Sequence, residues 1–266
     1  MPIGGRLMRI VSICPSNTEI LYYLGLGEQI VGLDDHSDWP QSLQHLPRVG
    51  PDLTIDMDRV EALRPDLVVA SLSVPGMEAN IAALRERNLP HIVLNPSRIS
   101  EITGDIRLVG EATGTVQRAE LLARQFDEKI ANIRQRSATY EEKPKLYWEW
   151  WPNPIYTPGG ENWLTDVSEI VGAVNIFADY PVANVKATRE MVRDRDPDHI
   201  CVVWCGIELR RIKPMMITER TEWQEMTAIR NSRVHLLEEG LYCRPSPRIL
   251  DGLEKLEALI RHPHAT

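Results

Sequence analysis

The chain has 266 residues, 43% hydrophobic and 26% charged, with 30 Lys and Arg against 38 Asp and Glu and a formal net charge of −8. Such an acid excess argues against a nucleic-acid partner, whose phosphates require a basic footprint. No apolar run approaches the ~18–20 residues of a membrane span, so the composition suits one large soluble domain or two smaller ones.

The first residues carry no secretory-signal pattern. Arg9 interrupts them, and Ile10–Cys14 is too short for a signal core and reads instead as a first strand. The expectation is a protein not exported by that route, or one whose signal was removed. The strand, Arg9–Cys14, turns through Cys14-Pro15-Ser16-Asn17-Thr18 into a helix over Glu19–Leu24 stopped at Gly25. Ser16 and Glu19 have capping-box spacing. The turn is not a phosphate cradle, because neither GxxxxGK[ST] nor GxGxxG is present, and GxSxG is absent from the chain. Cys14 has no charged neighbour to make it a nucleophile. Next comes a polar-aromatic loop, His36-Ser37-Asp38-Trp39-Pro40; His36 and Asp38 are too few ligands to make a metal site.

The chain then says the same thing twice. Val60-Glu61-Ala62-Leu63-Arg64-Pro65-Asp66-Leu67-Val68-Val69 is matched by Val192-Arg193-Asp194-Arg195-Asp196-Pro197-Asp198-His199-Ile200-Cys201. Each is a helix end, a Pro-Asp break and a buried strand of a parallel sheet. Each is followed by a helix and another strand, over Asn88–Leu94 and Asn231–Leu237. The second half also opens like the first: a strand over Lys145–Trp150, a polar turn, and a helix over Leu164–Val171 stopped at Gly172. Alternating strands and helices predict an α/β fold of two Rossmann-like lobes with parallel sheets. The predicted organisation is an N-terminal lobe over 8–108, a bridging helical region over 109–142 and a C-terminal lobe over 143–266. Leu122, Phe126, Ile130 and Ile133 form a one-sided stripe on the bridge, so Thr115 to about Glu142 is expected to be one rigid helix of ~42 Å.

In open α/β sheets, ligands sit outside the carboxyl ends of the strands, so with two lobes the expected site is the cleft between them. Asn17 and Thr18 are expected to look into it, beside His36, Asp38 and Trp39. Trp148, Trp150, Trp151 and Trp163 lie within sixteen residues, with Tyr147 and Tyr156 among them. Core packing explains part of this crowding, but Trp151–Tyr156 reads as a loop whose rings suit a large flat ligand. Trp163, Trp204, Tyr242 and Arg244 follow other strands; Arg244 or Arg248 suits an anionic or amide-rich ligand. Cys201 and Cys205, ~13 Å apart along a strand, cannot pair and read as small buried residues. His262 and His264 are expected to be solvated. No nucleophile–base–orienter set emerges, which points to a binding module and not an enzyme.

These residues carry a family likeness. Pro15–Glu19, Ser37–Pro40, Arg59–Val68, Gly172 with Asn175-Ile176-Phe177, and Ser246-Pro247-Arg248 resemble the helical-backbone (class III) substrate-binding proteins of ABC importers, most of all their cobalamin-binding, BtuF-like branch. The resemblance runs from about Arg9 to Leu259. It implies two lobes bridged by one long helix, a corrinoid carried as ligand with no cofactor, a monomer, and an ABC permease as partner. It also implies an extracytoplasmic location; a cytoplasmic one is the alternative, because no signal pattern is seen. His36 matches a ring that packs on the corrin, Arg244 an arginine near the ligand, and Glu78 a glutamate that docks on the transporter. Glu219 or Glu222 is the counterpart in the second lobe, with Glu222 taken as the docking residue. Asp52 stands where cobalamin binders often have tryptophan, and their C-lobe disulfide has no counterpart here. A ferric siderophore or haem on the same fold is the second reading, and a cytosolic sensor or enzyme on a recruited binding-protein fold the third.

Overall fold

A computed structural model describes residues 6–261. The chain divides into two units. One comprises the chain up to Pro96 with Ser100–Phe126; the other comprises Ser97–Ile99 with the chain from Asp127 onward.

The first unit contains β1 (Ile10–Ser12), α1 (Pro15–Tyr23), β2 (Ile30–Leu33), α2 (Met57–Ala62), β3 (Leu67–Ser71), α3 (Glu78–Glu86), β4 (His91–Leu94) and α4 (Ile102–Thr113). Its four strands run parallel in the order β2-β1-β3-β4. Val11, Val68, Ala70, Ile81 and Leu84 are at the centre of its core. The continuous apolar run of β3 is buried throughout, as a central parallel strand must be.

A 22-residue helix, α5 (Val116–Ser137), belongs partly to each unit. It is about 33 Å long at 1.5 Å per residue. Phe126, Ile130 and Ile133 are buried along it as the stripe predicts, with Leu122 only partly so. It ends five residues short of the expected Glu142. The Ser137 hydroxyl donates to the carbonyls of Arg134 and Ile170, and the Thr139 hydroxyl donates to Arg136, so side chains compete for the bonds of a further turn.

The second unit contains β5 (Lys145–Glu149), β6 (Trp151–Pro152), β7 (Ile155–Pro158), α6 (Trp163–Ile170), β8 (Val174–Asn175), β9 (Asn184–Ala187), α7 (Arg189–Arg195), β10 (His199–Val202), α8 (Met215–Thr218), α9 (Thr227–Arg230), β11 (Val234–Leu236), α10 (Glu239–Tyr242) and α11 (Ile249–Arg261). Its parallel sheet runs β11-β10-β5-β8. Counted from the first strand of each unit, that order is the order of the first sheet. A small antiparallel sheet, β6-β7-β9, is added. This corrects the reading of Trp151–Tyr156 as a loop: Trp151 lies directly opposite Tyr156 in a hairpin, with Asn153-Pro154 at its tip.

The repeated Pro-Asp has a physical cause. Asp66 accepts through Oδ2 from the Arg9 amide at 2.8 Å and donates its own amide to the Arg9 carbonyl. Asp198 does the same to Lys145, with Oδ2 at 2.7 Å. Each carboxylate pins the start of one strand to the start of its neighbour. Arg64 and Asp196, one residue before each proline, have left-handed φ of 47° and 42°, and Asn88 and Ser232 at the next helix ends have 53° and 56°.

Candidate functional site

The carboxyl ends of β1 and β2 are built on a buried polar network. α1 starts one turn earlier than its apolar pattern implies. Pro15 occupies its first turn and Cys14 is the N-cap without a side-chain bond, so the expected Ser16 cap is replaced by proline initiation. Ser16, Asn17, Thr18 and Glu19 are all buried. Asn17 donates from Nδ2 to the Val69 carbonyl at 3.0 Å. The Thr18 hydroxyl is 2.8 Å from both Ser12 Oγ and Ser37 Oγ. Asn17 and Thr18, expected to look into the cleft, are buried, and their polar atoms tie the helix start to β3 and to the His36 loop.

That loop is held from beneath by Asp34. Its Oδ1 accepts from Ser37 Oγ at 2.5 Å and its Oδ2 from the His36 amide at 2.8 Å. Burial pushes the Asp34 carboxyl up to about 6, against the lowering effect of those two bonds. Arg48 donates to the carbonyls of Asp34 and Ser37 and braces the loop from the other side. On this base the His36 side chain is 52% exposed, with Nε2 3.8 Å from Asp52 Oδ1. Asp38 is exposed. Trp39 is half-buried, edge-on to Tyr22 and stacked on Tyr23. Burial, with the Asp34 carboxyl nearby, pushes the Cys14 thiol up to about 11, which suits a packing residue and not a nucleophile.

In the second unit, α6 begins at Asn162, whose Oδ1 accepts from the Leu164 amide. Trp163 is buried and donates from Nε1 to the Tyr242 carbonyl at 2.8 Å; buried Tyr242 donates its hydroxyl to the Gly252 carbonyl. Trp204 is also buried, and its Nε1 donates to Glu149 Oε1. Arg244 is buried against Glu239, with Nη2 2.8 Å from Oε2. These four were expected to line the ligand cleft; all four are buried. Trp151 and Tyr156, 39% and 38% exposed, are the rings the unit presents outward.

Sequence reasoning missed Glu149 and Arg220. Glu149 is fully buried at the end of β5, paired with Arg220 and accepting from Tyr147. A lone carboxylate inside the aromatic run Tyr147–Trp151 was the available signal, since such a group needs a buried cation. Trp150 packs on Trp163, and its buried Nε1 has no partner.

Glu78 is the first residue of α3 and exposed; its carboxylate accepts from the Gly76 amide. Glu219 and Glu222 are both exposed near the end of α8, and Glu222 pairs with Arg189. Among the described residues, no three His, Cys, Asp or Glu side chains converge as a metal site. No described helix is long and apolar enough to cross a membrane. His262 and His264 lie outside the described residues.

A family model described as "Periplasmic binding protein" matches residues 10–240. The chain is 30% identical over 253 residues to an uncharacterised ABC transporter substrate-binding lipoprotein, YvrC, of Bacillus subtilis, covering 93% of this chain and 78% of the relative. It resembles the crystal structure of the periplasmic vitamin B12-binding protein BtuF of Vibrio cholerae with a TM-score of 0.80 at 25% identity, over 97% of this chain and 98% of the other. It also shares its fold with the periplasmic haem-binding protein RhuT of Roseiflexus sp. RS-1, with a TM-score of 0.83 at 24% identity, over 95% of this chain and 97% of the other.

Proposed function

We propose that this chain, which belongs to the periplasmic binding protein family and is an ABC-transporter substrate-binding protein of the class III fold, carries a corrinoid. The family's role is to bind and deliver a ligand, not to transform it, so the corrinoid is cargo and not a cofactor. The observation that carries the ligand class is the likeness, along nearly the whole chain, to the vitamin B12-binding protein of Vibrio cholerae. The surface chemistry agrees with it. Exposed Trp151 and Tyr156 offer aromatic faces, and His36 offers an imidazole on a loop held by Asp34 and Arg48. A flat macrocycle with amide arms is recognised by such rings together with a few fixed polar groups. The pre-bonded layer beneath lowers the cost of ordering the site when ligand arrives.

On this reading the protein works as a monomer, and outside the cytoplasmic membrane, in keeping with the lipoprotein and periplasmic names of its relatives. It hands ligand to a permease that Glu78 and Glu222 engage. Both glutamates are exposed, as docking residues must be.

Titration of the purified protein with cyanocobalamin, cobinamide and ferric haem, followed by calorimetry and tryptophan fluorescence, tests the proposal. Saturable binding of a corrinoid at or below tens of micromolar, on the order of −6 kcal/mol, is the expected result. Binding of haem with no heat or quenching from either corrinoid overturns it in favour of a haem carrier.

A further inference from the structure

Two cysteines separated by thirty-eight positions in sequence meet at the carboxyl edge of the second unit's parallel sheet. Cys205 lies three residues beyond β10, and its thiol is 3.1 Å from Cys243 Sγ, just after α10. Cys205 is exposed and Cys243 half-buried. The reading of Cys205 as a small buried residue is thereby corrected; of Cys201 and Cys205, it is Cys201 that is enclosed, inside β10. The two backbones are fixed independently. The Cys205 amide donates to the Trp150 carbonyl at 3.2 Å, and the Cys243 amide donates to the Glu239 carbonyl at 2.9 Å. The Cys243 thiol also lies 3.6 Å from the Val203 carbonyl. Two thiols in direct contact, one accessible and one behind it, have the arrangement of an attacking and a resolving cysteine.

We propose that Cys205 and Cys243 form a reversible disulfide by exchange with a low-molecular-weight disulfide, and that the structure describes the dithiol form. The Cys205 thiolate attacks one sulfur of the small disulfide, RS–SR. A mixed disulfide forms on Cys205, and the first thiolate leaves and takes up the proton that Cys205 released. Cys243 sulfur then attacks Cys205 sulfur, the second RS⁻ departs, and it accepts the Cys243 proton. Two thiols of the protein are oxidised and one RS–SR is reduced to two RSH. Burial, and then the bond from Cys205, hold the Cys243 thiol well above its ordinary value. Cys243 therefore does not compete with Cys205 for the first attack. The finished bridge straps the turn carrying Trp204 to the residue preceding Arg244. It is independent of which ligand the protein carries.

The test is incubation of the folded protein with glutathione disulfide, then alkylation, proteolysis and mass spectrometry. The expected product is a monomer lacking two hydrogens, with a Cys205–Cys243 cross-linked peptide that dithiothreitol reverses. Cys243→Ser is expected to stop at a stable glutathione adduct on Cys205, and Cys205→Ser to remain unmodified at Cys243 over the same time. A wild-type protein that retains glutathione on Cys205, links to a second molecule, or keeps both thiols overturns the proposal. So does Cys243 reacting as fast in Cys205→Ser as Cys205 does in Cys243→Ser.

Discussion

Glu149 and Arg220 form a bidentate ion pair sealed inside the second unit, Oε2 to Nη1 at 2.5 Å and Oε1 to Nη2 at 2.8 Å, with the side chains 0% and 6% exposed. Tyr147 and Trp204 donate to the same carboxylate, and the Arg220 guanidinium stacks over the Trp223 ring. Every polar atom of the pair's contact face is engaged, which is the condition under which a buried pair is tolerated. Arg220→Met leaves the carboxylate buried and unpaired and is expected to cost about 3–5 kcal/mol by urea denaturation. Glu149→Leu combined with Arg220→Met is expected to recover most of that loss. A double variant as unstable as the single would show that the pair's attraction, not the orphaned charge, is what matters.

Asp105 presents the opposite case. It lies in α4 with Oδ2 buried and unpartnered, and burial followed by the Glu101 charge pushes its carboxyl up to about 7. Its folded value is above the ordinary one near 3.8, so its contribution is least unfavourable at acid pH. It becomes destabilising as pH rises from about 4 to 7, where the unfolded chain ionises and the folded one resists. Asp105→Ala is therefore expected to stabilise the protein by about 1–2 kcal/mol at pH 8 and by less at pH 5. Equal gains at both pH values would assign the effect to helix propensity alone.

His199 and His235 behave in the reverse sense. Their rings stack, with Nδ1 and Nε2 2.9 Å apart, and burial, reinforced by Arg233, lowers them to about 4 and about 3. Both folded values are below the ordinary 6.5. The neutral pair's contribution is thus complete above pH 6.5 and is lost as pH falls toward 4, because the unfolded chain takes up protons first. Between pH 7 and pH 5 the wild type is expected to lose about 2 kcal/mol more than His199→Gln/His235→Gln. Parallel pH profiles for the two proteins would sink this account.

Gly110 is where α4 passes α5. A Cβ there would be 2.3 Å from Ala119 Cβ. Gly110→Ala is expected to destabilise by about 1–3 kcal/mol despite the better helix former. A net gain in denaturation midpoint would mean that the two helices separate at no cost.

For the proposed ligand, His36→Ala is expected to weaken cobalamin binding about tenfold, on the order of 1.4 kcal/mol, with an unchanged circular dichroism spectrum. Unaltered affinity removes His36 from the site.

The repeat was legible because it is written in local terms. Proline followed by aspartate ends a helix and opens a buried strand wherever it occurs, so Pro65-Asp66 and Pro197-Asp198 announced two sheets of one design. The candidate site was legible only in outline. His36, Trp151 and Tyr156 present themselves outward. Asn17, Thr18, Trp163, Trp204, Tyr242 and Arg244 look identical to them in sequence but are turned inward by bonds to groups such as the Val69, Tyr242 and Gly252 carbonyls and the Glu149 and Glu239 carboxylates.

By itself the sequence determined the two α/β units of one design, the helix of α5 and the absence of a phosphate-binding loop. Those features depend on apolar period, on proline and on glycine, all of which act within a few residues. The tertiary structure alone decided which polar side chains face outward, that Glu149 has Arg220, and that Cys205 meets Cys243 and not Cys201. The partners in those pairs are tens of residues apart in the chain. Burial forces each buried polar group to find a partner, but only the packed fold determines which group lies within reach.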